Sequence, residues 1–239
     1  MGLDAFVPCN CFPESLRRPP PCPLEWLEWD EGHLGLKPEH DQGALWHRVH
    51  EWSQSACPHR GFTLIWERVD NWTGVALFLE AMEEHDFPVL KSLDGQLEWP
   101  QAAQGLREIE RFRQLPRLNE TTELLLGDEV VNCYAAYRQG VFLLDPRSGL
   151  NAGIDPNGFF LQCRQTHQEL FRAIKFEHQG ERFRNLDTQT TFETTLQFET
   201  GVMEVRTRIS KPADFELIVA SLEALYRASV EMQRPVYWT

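Results

Sequence analysis

Apolar residues recur at the spacing of an amphipathic helix in four segments of this chain. These segments are Leu45–Trp52, Val75–Met82, Ala102–Phe112 and Phe215–Tyr226. Residues three and four apart lie on the same face of a helix, so each segment can bury one apolar stripe. Pro100 fits the first turn of the third segment, and Pro116 ends it. The pattern therefore predicts four helices.

Other segments are rich in β-branched and aromatic residues, in places alternating with polar ones, and these predict strands. They are Leu3–Phe12, Trp26–Asp30, Thr63–Val69, Val130–Tyr137, Val141–Leu144, Phe159–Cys163, Phe192–Phe198 and Met203–Ile209. The last two flank Glu199-Thr200-Gly201 and predict the clearest hairpin in the chain. A second turn signal, Arg138-Gln139-Gly140, separates the fourth and fifth segments.

The order of these elements predicts an α+β fold. A helical N-terminal half would pack with a mostly antiparallel sheet and a C-terminal helix. The length of 239 residues suits a single domain over residues 1–239. Within it we expect a helix-rich sub-region at 1–117, which holds a Cys/His cluster, and a sub-region at 118–239 with the sheet and last helix.

The charge balance restricts the partners. The chain carries 36 acidic and 23 basic residues, a net charge of −13. Such a surface repels nucleic-acid phosphates and anionic lipids, so we expect no direct nucleic-acid or membrane binding. No stretch approaches the roughly 20 apolar residues of a membrane span, and no secretory signal is visible. These features predict a cytoplasmic protein whose charge suits a basic protein partner or serves only to keep the protein soluble.

Two short Cys/His pairs are the sharpest chemical signal. Cys9 and Cys11 form a C-x-C pair, and Cys57 and His59 form a C-x-H pair. In an extended backbone residues i and i+2 point to the same face, and Pro58 favours extended geometry at Cys57. The two pairs can therefore form a tetrahedral Cys3His site of the kind that holds structural zinc. Further candidate ligands are Cys22, His47 and His50.

Two other interpretations of these residues remain open. The cysteines can be small buried hydrophobic residues that bind nothing. Alternatively, zinc with an open coordination position would make a hydrolase, although no H-E-x-x-H order is present. No residue is assigned a catalytic role, and the sequence favours a protein that is not an enzyme.

A loop is predicted between two strands at residues 145–158. It contains two Asp-Pro turn signals and three glycines. Asp145, Asn151 and Asp155 offer oxygen ligands that suit a divalent cation, but their spacing is not that of an EF-hand. Ordinary β-turns are the alternative.

Tryptophans lie beside acidic residues in the first hundred residues. Trp26, Trp29, Asp30 and Glu31 are the densest such group. Aromatic anchors with an acidic rim suit the binding of a basic protein, so these four residues are the predicted partner-binding site. The alternative is that the tryptophans fill the core while the acids stay in solvent.

Three segments together resemble a widespread family of uncharacterised bacterial proteins. They are Met1-Gly2-Leu3-Asp4 with Cys9-Asn10-Cys11, then Ala56-Cys57-Pro58-His59, and the ending from Phe215-Glu216-Leu217-Ile218-Val219 to Pro235-Val236-Tyr237-Trp238. The resemblance spans the chain and implies a bacterial cytoplasmic protein in which the cysteine pairs are a family feature. It implies no activity.

These observations lead to two hypotheses about function. The first is a non-catalytic acidic binding protein of a bacterial conflict system, such as an immunity protein or a subunit of a defence complex, that binds a protein partner. The alternative is a zinc- or divalent-metal-dependent hydrolase.

Overall fold

The computed structural model describes residues 2–41 and 43–239, and strands dominate it. Met1, which opens the family-like motif, lies outside these residues. The strands are β1 (Gly2–Pro8), β2 (Leu27–Asp30), β3 (His33–Leu36), β4 (Thr63–Asn71), β5 (Gln96–Leu97), β6 (Glu120–Leu126), β7 (Glu129–Cys133), β8 (Val141–Asp145), β9 (Leu150–Asp155), β10 (Gly158–Cys163), β11 (Glu169–Ala173), β12 (Lys175–Gln179), β13 (Arg182–Asn185), β14 (Thr191–Glu193), β15 (Gly201–Ile209) and β16 (Val236–Trp238). The helices are α1 (Gly43–Ser53), α2 (Trp72–Ala81), α3 (Trp99–Arg113) and α4 (Glu216–Met232).

The predicted α+β fold with a helical N-terminal half is wrong. The described residues form a mostly β protein with sixteen strands in four antiparallel sheets and only four α-helices. Five strands, β1 to β5, lie in the supposed helical half. The partners of β1 come from residues 63–71 and 236–238, far away in the chain. Strands were predicted at Leu3–Phe12, Trp26–Asp30 and Thr63–Val69, but the pairing of β1 leaves no local pattern, so the helical periodicity dominated the prediction of the fold.

The four helices themselves occur where the periodicity predicts them. Pro100 lies in the first turn of α3. Backbone N–H groups in this turn have no partner within the helix, so the missing N–H of proline costs no hydrogen bond there. Glu98 and Gln101 complete a reciprocal capping box there: each side chain accepts a hydrogen bond from the backbone N–H of the other. The proline and the capping box therefore mark the same start of the helix.

The chain divides into two compact units. Unit 1 comprises the chain up to Val75, His85–Leu115 and Pro212–Thr239, and unit 2 comprises Ala76–Glu84 and Pro116–Lys211. That residues 1–239 form a single domain stays a prediction.

Unit 1 is built on a sheet with strand order β4-β1-β16-β5. β1 is central, with Phe6 opposite Trp66 of β4 on one side and Tyr237 of β16 on the other. Helix α4 packs on β1 and β4, and α3 packs on α4. A separate β2–β3 hairpin and α1 enclose an apolar cluster that includes Cys9, Cys57 and Phe62. We call it the apolar cluster of unit 1. The N-terminal segment is thus tied into unit 1 by its strand and by this cluster.

Unit 2 contains two sheets, with orders β11-β10-β9-β8 and β14-β13-β12-β15-β6-β7. One apolar cluster draws side chains from both, including Phe159 of the first and Phe176 of the second, whose rings stack at 4.3 Å between centroids. The two sheets therefore share one core, as in a sandwich.

The predicted hairpin of Phe192–Phe198 with Met203–Ile209 is wrong. β15 pairs with β12 on one side and β6 on the other, while β14 covers only Thr191–Glu193 and pairs with β13. The segments beside Arg138-Gln139-Gly140 also pair elsewhere, β7 with β6 and β8 with β9. Alternation identifies the two faces of a strand but does not identify its neighbour.

Candidate metal centre

Two elements of unit 1 deliver the predicted ligand pairs to one point. Cys9 and Cys11 follow the end of β1 at Pro8, while Cys57 and His59 follow α1 and precede the 3₁₀ turn Arg60–Phe62. The ligand atoms of the four residues all lie within 4.8 Å of one another. No other group of three or more Cys, His, Asp or Glu among the described residues has this arrangement.

Two of the six separations between the ligand atoms fit a tetrahedral metal site. The Sγ atoms of Cys9 and Cys57 are 3.8 Å apart, and the Sγ of Cys11 is 3.4 Å from Nδ1 of His59. With zinc–sulfur bonds of about 2.3 Å and zinc–nitrogen bonds of about 2.0 Å, the edges of a tetrahedron are about 3.8 Å and 3.5 Å. The other separations are at most 4.8 Å, so the four atoms already lie near the positions that a bound ion requires.

Backbone hydrogen bonds hold the two halves of the site together. The Cys9 N–H donates to the carbonyl of Phe62 at 2.7 Å, and the Arg17 N–H donates to the carbonyl of Ala56 at 2.6 Å. The His59 N–H also points at Cys57 Sγ, at 3.3 Å. An amide that donates to a cysteine sulfur stabilises the thiolate that a metal needs. The segment after β1 is thus fixed on both sides of Cys11.

An apolar cluster surrounds the sulfur atoms. Phe62 is fully buried, and the rings of Phe12, Trp29 and Trp52 pack around it with centroids 5.6 to 6.2 Å away. Cys9 and Cys57 are buried, whereas Cys11 and His59 are half-buried. One side of the site is therefore dry, and the other is within reach of solvent.

Burial determines the protonation of the buried thiols. It raises the pKa of Cys9 from its usual 9.0 to about 12, and it also raises the pKa of Cys57. Without a metal both groups hold their protons at neutral pH. A metal ion must displace those protons, because the thiolate is the ligand.

The donor set decides which ion fits. Three sulfurs and one imidazole nitrogen suit zinc, whereas calcium and magnesium take oxygen ligands. Four protein ligands complete a tetrahedron and leave no position for a water molecule. An ion bound here would hold the segment after β1 against the turn after α1, and that role is structural. The arrangement is compatible with zinc.

The three further candidate ligands lie outside this cluster. Cys22 is half-buried and packs against the apolar cluster of unit 1, and burial raises its pKa. His47 and His50 are exposed on α1, each in contact with the ring of Trp46. The two histidines share a helix face, as their spacing predicts, but no cysteine of the site joins them.

The predicted partner-binding residues are not all at the surface. Trp26 and Trp29 are half-buried against the apolar cluster of unit 1. The Trp26 ring stacks on His40 at 4.4 Å, and the guanidinium of Arg234 lies 5.6 Å from the Trp29 ring. Asp30 and Glu31 are exposed at the turn between β2 and β3. The acids are available to a partner, while Trp29 serves mainly as packing.

Residues 145–158 form two tight turns around β9 instead of one loop. β9 crosses from Leu150 to Asp155, and its neighbours are β8 and β10. Asp145 and Asp155 accept backbone N–H groups at 2.9 Å and 2.7 Å, and Asp155 also pairs with Arg172 at 2.6 Å. Asp145 lies opposite Leu150, five residues before Asp155, and at about 3.4 Å per residue the strand keeps the two aspartates roughly 17 Å apart. The structure does not bring these ligands together.

Two solvent-facing residues near the metal site, Arg60 and Trp66, were not among the functional residues predicted from the sequence. Arg60 follows His59 directly, and Trp66 of β4 is 55% exposed. The available signal was the predicted strand Thr63–Val69, because successive side chains of a strand point to opposite faces.

No helix among the described residues has the length and apolar character that a bilayer crossing requires. Comparison of the chain with protein-family models, curated proteins and solved structures found no match. The resemblance to an uncharacterised bacterial family stays a prediction.

Proposed function

We propose that this chain is a zinc protein in which Cys9, Cys11, Cys57 and His59 hold the ion, and in which the ion is structural. The observation that carries the proposal is the convergence of four ligand atoms within 4.8 Å. The pairs are 48 residues apart in the chain, yet two separations between them match the edges of a tetrahedron.

The closed ligand set favours a structural ion over the hydrolase alternative. A catalytic zinc keeps one position for water or substrate, and here protein side chains take all four. The ion would join the end of β1 to the turn after α1. Its contribution would therefore be to the stability of unit 1.

Elemental analysis of protein purified without chelators tests the ion. We expect one zinc per chain, and less than a tenth of that in the Cys11→Ser variant. Cys163→Ser is the matched control, because Cys163 lies on β10 in unit 2 and should leave the zinc content unchanged. Zinc-free wild-type protein, or a full zinc content in Cys11→Ser, would refute the assignment.

Cobalt exchange gives a second measurement that does not depend on a variant. Cobalt in a tetrahedral thiolate site absorbs strongly in the visible range, whereas six-coordinate cobalt does not. We expect the tetrahedral spectrum for the wild-type protein and its displacement by one equivalent of zinc. A spectrum of six-coordinate cobalt would contradict the Cys3His set.

At the level of the whole protein, we propose a non-catalytic acidic binding protein of a bacterial conflict system. The net charge of −13 favours fast association with a basic protein. Asp30 and Glu31 are exposed together at the β2–β3 turn, on a hairpin that packs beside the metal centre. A structural ion would hold this region in place for a partner.

Affinity capture from the native host tests this function. We expect one basic protein in stoichiometric amount at low salt and its release at high salt, because exposed charges are screened. The double change Asp30→Lys and Glu31→Lys should reduce capture at least about tenfold. The matched double change Glu181→Lys and Asp187→Lys alters the net charge equally on unit 2 and should have little effect. Capture without any stoichiometric partner would refute the proposal.

A further inference from the structure

A cleft of about 700 Å³ opens on unit 1 beside the metal centre. It is lined by residues of β3, α1, the turn Arg60–Phe62 and β4, and we call it the tryptophan cleft because Trp46 and Trp66 line it. Its volume lies within the range of small-molecule sites, roughly 300 to 1,000 Å³.

Two indole rings are available in this cleft. Trp46 is 43% exposed and Trp66 is 55% exposed, although tryptophan is usually among the more buried residue types. The imidazole of His50 lies parallel to the Trp46 indole, with 2° between the planes and 5.2 Å between centroids. This stacking limits the rotation of Trp46 and presents a flat apolar surface, which a planar ring can cover.

The charges of the cleft are opposite to those of the chain. Arg60, His33 and His50 line it, and none of the described lining residues is Asp or Glu, in a chain with a net charge of −13. Of the described lining residues, only Arg60 carries a permanent charge, and that charge is positive.

Arg60 has hydrogen-bonding capacity left for a ligand. Its Nε donates to the side-chain oxygen of Gln54 at 2.8 Å, which orients the guanidinium plane. Within the part of the chain that the structure describes, no carboxylate pairs with it. The terminal nitrogens keep four N–H groups that match the geometry of a carboxylate or a phosphate.

We propose that the tryptophan cleft binds a small planar aromatic anion, with its ring on Trp46 or Trp66 and its carboxylate or phosphate on Arg60. The shared chemistry is one flat ring with one anionic group, and an aromatic carboxylate and a nucleoside monophosphate both have it. The site lies outside the Cys3His ligands, because neither tryptophan nor Arg60 belongs to that set.

Calorimetric titration of the purified wild-type protein provides the first test. Adenosine 5′-monophosphate and indole-3-acetate each carry a ring and an anion, and they distinguish a phosphate from a carboxylate ligand. Adenosine supplies only a ring, and inorganic phosphate supplies only an anion. We expect at least one of the two complete probes to bind roughly tenfold more tightly than either half probe, because a charge-assisted bidentate contact and ring stacking act together. Failure of both complete probes to bind would overturn the proposal.

Matched variants locate the binding. Arg60→Gln should weaken binding of the complete probe about tenfold or more, because it removes the anion contact. One of Trp46→Ala and Trp66→Ala should weaken it by a similar factor, because the ring stacks on one of these two indoles. Arg107→Gln on α3 and Trp72→Ala on α2 change exposed residues of the same types outside the cleft, and they should bind like the wild type. Unchanged affinity in Arg60→Gln would overturn the assignment of the anion to this cleft.

The test separates this proposal from the metal assignment. Zinc content is measured on the same samples, and Arg60→Gln and Trp66→Ala leave all four ligands in place. If zinc-free protein binds a complete probe, the metal centre is refuted and the cleft proposal stands. If the protein contains one zinc per chain but binds neither complete probe, the cleft proposal is refuted and the metal centre stands.

Discussion

At the scale of single residues, the tripeptide Cys57-Pro58-His59 shows how much a local pattern can specify. An extended backbone directs the first and third side chains to one side, and His59 indeed has extended angles, with φ −99° and ψ 119°. The sequence could therefore predict each ligand pair. That the two pairs could share an ion was also predicted, but the contacts that bring them together, such as the 2.7 Å hydrogen bond from Cys9 to Phe62, could not be predicted from the sequence.

The protonation of the buried thiols predicts the pH dependence of metal binding. Burial raises the pKa of Cys9 to about 12 and also raises that of Cys57, so both are protonated near pH 7 without metal. Zinc binding should then release at least two protons. The apparent zinc affinity should increase with pH, by about 100-fold per unit when two protons leave.

A pH-indicator dye measures the released protons when zinc is added to metal-free protein in weak buffer. Competition with a chromogenic chelator between pH 6 and pH 8 measures the affinity. An affinity that does not change over this range would show that the thiols are already ionised before the metal arrives.

At the scale of elements, helices were predictable and strand partners were not. The hydrogen bonds of a helix join residues four apart, so a window of the sequence contains most of what the helix needs. The alternation along β15 correctly indicated a strand, but its neighbours β12 and β6 lie on both sides of it in the sheet. The partner of a strand is chosen by packing across the whole unit, which no local pattern records.

The close contact of α3 with α4 predicts the effect of adding one methyl group. A Cβ on Gly105 of α3 would lie 2.5 Å from Cε2 of Tyr226, and Tyr226 is fully buried on α4. Overpacking of this kind costs about 1 to 3 kcal/mol, whereas alanine in place of a helical glycine gains only about 1 kcal/mol. Gly105→Ala should therefore lower the free energy of unfolding by roughly 1 kcal/mol.

Denaturant unfolding measures this change, with Gly43→Ala as the control. Gly43 begins α1, and a Cβ there meets no atom within 4 Å. The control should be neutral or slightly stabilising. If Gly105→Ala raised the stability as well, the two helices would have to be packed less closely than the structure shows.

At the scale of the whole molecule, all four ligands of the metal centre belong to unit 1. Unit 2 has a core of its own, with Phe159, Phe176 and Phe183 fully buried in it. The sequence predicted one domain with a division near residue 117. The two compact units combine segments from distant parts of the chain, and such combinations follow from three-dimensional contacts that composition does not reveal.

The separate cores predict a local response to metal removal. A chelator should speed amide hydrogen exchange in the segment after β1 and in the turn after α1, because the ion no longer joins them. Exchange in β10 and β12 of unit 2 should stay within experimental error of the untreated protein. Hydrogen exchange read by mass spectrometry on peptides of both units makes the comparison, and equal loss of protection in both would contradict a role confined to unit 1.

The central position of β1 has a consequence for synthesis. A nascent chain that has left the ribosome as far as Asn71 can already pair β1 with β4. The other edge of β1 must wait for Val236–Trp238, which are translated more than 160 residues later. During that interval an unpaired strand edge is open to other chains. The yield of native protein in the cell should therefore depend on translation speed and on chaperones that cover that edge.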